Sequence, residues 1–319
     1  MSGRCSTRMA ERTGGMIEME NMLGLRPRLR LSREIPFTKM EGLGNDYLYI
    51  DRFAYREEHD WSALSRRMAD RHFGAGSDGI ILIEPGETHK FRMRIFNADG
   101  SEGDMCGNGM RCFARYVHDH GLAEDAEFVV ETKAGLIRPV LNLDPSGAVA
   151  SVSVDMGVPV FARKDIPLTR LDGPEPALGE VLEVKGRTLR GTALSTGNPH
   201  CVFFVDDVWK VDLEHIGPLL EVHPLFPKKA NIEFAAVKSP EIIDMRVWER
   251  GSGITLACGT GASAVVVAAV LNGYTRKDLP VTVNLPGGPL TVEWKSDGHV
   301  WQTGPAREVY SGVFYDEAR

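Results

Sequence analysis

The chain has 319 residues, 43% hydrophobic and 25% charged, with a formal net charge of −7 and a pI near 5.8. That composition belongs to a soluble globular protein long enough for two domains of ordinary size. The acidic body argues against nucleic-acid binding, and no run approaches the roughly 18 uninterrupted apolar residues of a membrane span.

The first 33 residues carry seven Arg against three Glu, so the rest is more acidic than the total suggests. Residues 1–34 hold a Gly14-Gly15 break and no apolar core of the kind a secretion signal needs, and a disordered extension is expected there. The five cysteines are odd in number and include no C-x-x-C pair. Free thiols in a reducing compartment, the cytoplasm, are expected.

From Ile35 onward short strand-like runs alternate with Gly-rich turns. Strands are expected at 47–50, 80–83, 91–96 and 128–130, the last turning at 133–135 into Leu136. In 91–96, alternation puts Phe91, Met93 and Ile95 on one face and Arg92 and Arg94 on the other. Residues 61–72 read as a helix with Trp61, Leu64 and Met68 inward. In the second half, strands are expected at 152–154, 201–205, 232–237, 245–248, 281–283, 290–292 and 300–301, and a helix at 213–221. The stretch 172–179 reads as a loop or meander insertion. Mixed short strands with few helices define an α+β chain rather than a regular βαβ array.

One element occurs twice: Cys106-Gly107-Asn108-Gly109 and Cys258-Gly259-Thr260-Gly261, 152 positions apart, each heading a helical run. In the first run Met110, Phe113, Ala114 and Val117 fall at i, i+3, i+4 and i+7, with Arg111, Arg115 and His118 around the rest. The second, 262–271, is apolar on every side except Ser263, the pattern of a helix buried all round, for which the inside of a strongly curved sheet is a natural place. Each thiol then sits at a helix N-terminus, where the helix end is expected to lower its pKa and the glycines leave backbone N–H groups open to a carboxylate. A lone Cys-Gly would read as a small buried hydrophobe. Two copies instead suggest proton removal on one face of a carbon and delivery on the opposite face. Cys112, Cys201 and Cys5 carry no such context.

His200 suits a proton-handling partner for a thiol and equally a satisfied structural histidine. Asn97, Asn198 and Asn231 sit at strand–loop junctions, where amides serve turns or recognise ammonium and carboxylate groups. Glu249-Arg250, leading into a glycine loop before Cys258, suits a zwitterion better than a plain surface pair: Arg for a carboxylate, Glu for an ammonium. Gly74-Ala75-Gly76-Ser77-Asp78-Gly79 fits G-x-G-x-x-G, yet a helix precedes it and a strand follows, the reverse of a dinucleotide site. No His/Cys/acid cluster has metal-ligand spacing.

With these residues in view the chain closely resembles the diaminopimelate epimerase family over about 37–312. The segments that carry the likeness are 37–46 with Asn45, Asn97 with its following Ala-Asp-Gly-Ser-Glu, the two Cys-Gly elements, Gly197-Asn198-Pro199-His200-Cys201, and Glu249-Arg250-Gly251-Ser252-Gly253. The resemblance implies two pseudo-symmetric α+β domains, each a curved, mostly antiparallel sheet around a central helix: 35–151 plus 304–319, and 152–303. It implies interconversion of LL- and meso-diaminopimelate, a step toward lysine and peptidoglycan, with neither cofactor nor metal, in a homodimer. Cys106 and Cys258 are then paired acid and base, and His200 and Glu249 help to poise them. Asn45, Asn97, Gly107, Asn108, Asn198, Asn231, Arg250, Gly259 and Thr260 hold the substrate. Gly79 departs from the Gln the family often carries. Rival readings are a proline- or hydroxyproline-type racemase of the same superfamily, a Cys106–His200 acyl transferase or hydrolase, and a catalytically silent carboxylate-binding protein; the hydrolase leaves Cys258 unexplained and the silent protein both thiols.

Overall fold

The computed structural model describes residues 32–317. Residues 36–312 form one compact unit that holds the helices and the cleft described below, and residues 32–35 and 313–317 fall in a second, small one.

Two mixed, mostly antiparallel sheets build the fold. The first runs in the order Arg307–Glu317, Ser32–Gly42, Asn45–Asp51, Gly79–Pro85, Phe91–Asn97, Val130–Thr132, Gly135–Ile137, with Glu102–Gly103 paired to Phe91–Asn97. The second runs Ala177–Val184, Arg187–Ser195, Pro199–Phe204, Asn231–Ser239, Ile242–Glu249, Val281–Leu285, Gly288–Trp294, Val300–Gly304, Val149–Asp155, Val140–Leu143, with Gly253–Ile254 paired to Ile242–Glu249. Four α-helices accompany them among the described residues: α1 (Trp61–Ala69), α2 (Gly107–Asp119), α3 (Leu213–Glu221) and α4 (Gly259–Leu271).

Helix α4 lacks a polar face because it has no solvent side: Ala264, Val265, Val266, Val267, Ala268 and Ala269 are fully buried, with strands of the second sheet around them. Helix α2 packs Met110, Phe113, Ala114 and Val117 against Tyr47, Tyr49, Ile81 and Met93 of the first sheet. Its other flank is covered by Val149, Val152 and Val154, on a strand hydrogen-bonded into the second sheet. That sheet therefore passes from one helix to the other.

The two helices are copies in more than their cysteines. Each is 13 residues long and capped by its cysteine in extended conformation (φ −138°, ψ 119° at Cys106; φ −122°, ψ 106° at Cys258). Each ends on a glycine at positive φ, Gly121 and Gly273, again 152 apart, the backbone reversal that closes a helix.

Three expectations need correction. Helix α1 ends at Ala69, not at 72, because the Asp70 carboxylate accepts from the amides of His72 and Phe73 (2.7 Å each) and pulls the chain out of helix. The strand expected at 128–130 begins only at Val130; Phe128 instead sets its ring against Phe91. The stretch 172–179 is, as expected, loop and then the entry to a meander, in which Ala177–Val184 pairs with the additional strand Arg187–Ser195. Arg111, placed on the outer face of its helix by periodicity, is fully buried.

Candidate active site

A cleft of about 770 Å³ opens beside the two helix starts. Asn45, Tyr47, Arg71, Asp78, Asn97 and Ser101 line it from the first sheet and its loops, and Glu249, Arg250 and Thr255 from the second. Asn45, Asn97, Glu249 and Arg250 thus meet at one place although 204 positions separate the first from Glu249. The two thiols are set deeper. Cys106 is partly buried and Cys258 is 5% exposed.

Each sulfur caps its own helix, accepting from the amide three residues on: Gly109 N–H to Cys106 Sγ at 3.4 Å, Gly261 N–H to Cys258 Sγ at 3.3 Å. The Cys106 thiol donates to Asn45 Oδ1 (3.4 Å), and Thr260 Oγ1 lies 3.5 Å from Cys258 Sγ. The expected lowering of both thiol pKa values is overturned. Burial, which disfavours the charged sulfur, outweighs the helix amides and pushes Cys106 up and Cys258 well up. The surroundings then separate the two. Arg111 pulls Cys106 back toward ionisation, whereas Glu249 and Glu233 drive Cys258 further from it. Glu249 is itself raised by burial, against the hydrogen bond from Thr255.

His200 touches neither sulfur. Fully buried, it places Nδ1 2.7 Å from Glu233 Oε1 and Nε2 2.7 Å from Asn198 Oδ1. With both ring nitrogens engaged it is in no position to serve Cys106 as a hydrolase base. Its partner Glu233 borders the second cysteine: a Cβ on Gly261 would lie 2.9 Å from Glu233 Oε1 and 3.1 Å from Cys258 Sγ. Asn231 also spends its amide within the protein, donating to Pro199 O (3.0 Å) and accepting from Arg250 N–H (2.9 Å), so it fixes the backbone from which the Arg250 side chain projects. Asn97 lines the cleft and donates to Ser101 Oγ (3.0 Å).

Several participants escape a reading of the sequence. Gln302, fully buried on Val300–Gly304, donates to Gly259 O (2.6 Å) and Ser263 Oγ (2.8 Å). Its Oε1 lies 3.1 Å from where a Cβ of Gly107 would sit and 2.9 Å from that of Gly259, so one side chain packs on the first residue of both helices. Those glycines therefore answer to packing as well as to access. Asp78, from the rejected glycine pattern, accepts from Asn45 Nδ2 (2.7 Å) and pairs with Arg71 (3.0 Å). Gly79 adopts φ +151°, and a Cβ there would lie 2.1 Å from Phe96 O, so this backbone has no room for a side chain at 79. Among the described residues, no group of three His, Cys, Asp or Glu side chains could hold a metal ion, and no helix is long and apolar enough to cross a membrane.

The architecture is that of a known class of folds. A PhzF-family phenazine biosynthesis protein from Bacillus anthracis superposes with a TM-score of 0.64 at 17% identity, covering 88% of this chain and 99% of that one. A hydroxyproline epimerase from Agrobacterium vitis does so with a TM-score of 0.64 at 15% identity, covering 91% and 95%. Sequence narrows the class to one family. The profile of diaminopimelate epimerase matches residues 37–162 and 192–309. The chain is 52% identical over 279 residues to the diaminopimelate epimerase of Moorella thermoacetica (87% of this chain, 98% of the relative). To that of Desulfitobacterium hafniense it is 50% identical over 282 residues (88% and 98%). The chain belongs to the diaminopimelate epimerase family.

Proposed function

We propose that this chain is an isomerase that interconverts LL-2,6-diaminopimelate and meso-diaminopimelate by moving one proton off, and another onto, opposite faces of the same carbon. Membership of the family and the relatives' shared name support the substrate. The observation that carries the mechanism is the repeated element: two cysteines, each capping a buried helix in the same way, beside one polar cleft.

The chemistry follows from charge. Removing the α-proton builds negative charge toward the carboxylate, and the start of a helix presents unsatisfied amides that stabilise it there. Gly107 and Asn108, and Gly259 and Thr260, supply those amides. One cysteine acts as thiolate base while the other, as thiol, delivers its proton to the far face, and the roles exchange in the reverse direction. Glu249, a cleft carboxyl whose charge bears on Cys258, helps to poise that thiol. His200 poises the second thiol indirectly, by holding Asn198 and Glu233 in place. Arg250, held in place through its backbone by Asn231, grips the distal amino-acid end together with Asn45, Asn97 and Asn198, a specificity that a simple amino acid cannot satisfy.

The halves 35–151 with 304–319, and 152–303, would then act as two domains that close on substrate and expel water, strengthening the field at the reacting carbon. A cytoplasmic homodimer working without cofactor or metal completes the reading. Incubation of diaminopimelate with enzyme in deuterium oxide tests it. Deuterium is expected at the α-carbon, and Cys106→Ala and Cys258→Ala should each abolish epimerisation. Substantial turnover by either variant would sink the two-thiol assignment.

A further inference from the structure

Arg111 is the unexplained charge of this protein. It lies five residues after Cys106 in α2 and is 0% exposed. Its Nε donates to Pro305 O (3.1 Å) and its Nη2 to Asn108 Oδ1 (2.7 Å), while Nη1 has no hydrogen-bond partner among the described residues. Both acceptors are neutral, and no carboxylate forms an ion pair with it among those residues. A guanidinium taken out of water without a counter-charge destabilises a fold, and an apolar side chain of similar volume would serve packing better. The residue must therefore act in something other than packing.

Its contacts show what. By taking Asn108 Oδ1, Arg111 turns the Asn108 amide nitrogen toward Asn45 Oδ1 (3.4 Å), the same oxygen that faces Cys106 Sγ (3.4 Å). Asn45 cannot turn away, because its own nitrogen is held by Asp78 (2.7 Å). A line of oriented amides thus runs from a buried cation to the sulfur. The second helix start has no counterpart. Position 263, the match of 111 at the 152-residue interval, is a neutral serine bound by Gln302, and the charged groups around Cys258 are the carboxyls of Glu233 and Glu249.

We propose that Arg111 is a positioning residue for the first proton carrier: through Asn108 and Asn45 it orients the amides around Cys106, and its positive charge favours a thiolate there rather than at Cys258. The inference rests on the two-thiol reading above. The other ionisable groups facing this spot are Glu41 on Ser32–Gly42, Tyr47 and Tyr49 on Asn45–Asp51, Asp78 behind Asn45, Cys112 on α2 itself and Glu249 from the second sheet. The cation next to them, Arg71, is paired with Asp46 and Asp78, so Arg111 is the cation without a carboxylate that can balance an ionised Cys106. Loss of the Cys106 proton breaks the contact to Asn45 Oδ1 and leaves the Gly109 amide and this charge to hold the sulfur.

The test is the rate of iodoacetamide alkylation of Cys106 and Cys258 against pH, read by peptide mass in the full-length protein, alongside steady-state kinetics. Arg111→Met should shift the Cys106 profile upward by about one pH unit or more, as expected for loss of a nearby opposite charge. Its Cys258 profile should stay unchanged, and its kcat should fall at least about tenfold. Arg111→Lys keeps the charge but not the planar fork, so its Cys106 profile should match the parent while KM rises. An unshifted Cys106 profile in Arg111→Met, or an equal shift at Cys258, overturns the proposal. If the methionine variant does not fold, Arg111→Lys decides, because a parental KM there refutes positioning through Asn108. Absence of solvent deuterium in product made by the parent enzyme would refute the two-thiol reading and leave the alkylation comparison to judge Arg111 by itself.

Discussion

Removing His200 should strand a carboxylate. His200 and Glu233 are both fully buried, on neighbouring parallel strands, with Nδ1 and Oε1 2.7 Å apart. The other Glu233 oxygen has no hydrogen-bond partner among the described residues. In His200→Ala the Glu233 carboxyl group therefore keeps no donor, and leaving a buried polar group unpaired costs about 1–3 kcal/mol. Glu233→Gln leaves an amide oxygen facing the ring and should cost about 1–2 kcal/mol. In the double variant there is no charge left to strand, so its loss should fall short of the sum of the singles by about 1–3 kcal/mol. Urea denaturation followed by fluorescence of the five tryptophans measures all four proteins. Single-variant losses that add to within about 0.5 kcal/mol would show that the two side chains are not coupled, and the argument would fail.

Gly259→Ala should destabilise by about 1–3 kcal/mol, since its Cβ would lie 2.9 Å from Gln302 Oε1, and shortening Gln302 in the same chain should recover part of the loss on thermal denaturation. Cys112, whose thiol is pushed up to about 12 by burial, and Cys201, raised well above the usual thiol range, should resist iodoacetamide at pH 8 until denaturant is added; native labelling of either, seen by peptide mass, would contradict their packing. Glu131 accepts the amides of Glu87, Thr88 and His89, which hold its carboxylate down at about 2. A depressed folded-state pKa means stability that is present above the ordinary Glu range and disappears as pH falls from about 4.5 through about 2. Glu131→Gln should remove that part of the acid dependence in a pH series of denaturation curves, and an unchanged series would exclude it.

Local pattern was a reliable guide where burial is one-sided or complete. Met110, Phe113, Ala114 and Val117 face the core as their spacing requires, and α4 is buried on all sides as its composition requires. Pattern was a poor guide where a charged side chain turns inward. Helical periodicity puts Arg111 outside because it counts polarity and not partners, and the partners of Arg111 include Pro305, 194 positions away. The same limit hid the setting of His200. Its partner Glu233 is 33 residues downstream and meets it because two parallel strands set His200 opposite Asn231. Lateral pairing of that kind leaves no trace in spacing. The strand Arg187–Ser195 went unseen for a related reason: Arg187 and Arg190 interrupt its apolar positions on the exposed part of the strand. The twin Cys-Gly elements were legible because helix starts are written locally, in a cap residue and the small residues after it.

Gln302 gives that twinning a limit. A side chain that packs on equivalent residues of two repeated halves lies where the repeat maps onto itself, and an amide there has one donating end and one accepting end. Here the nitrogen serves Gly259 and Ser263, and the oxygen is left between Gly259 and Gly107. No orientation of that amide can treat the halves alike. In the proposed two-thiol mechanism one thiol is protonated and the other ionised at the start of each turnover, and an amide that serves the two helix starts unequally is a fixed difference between them.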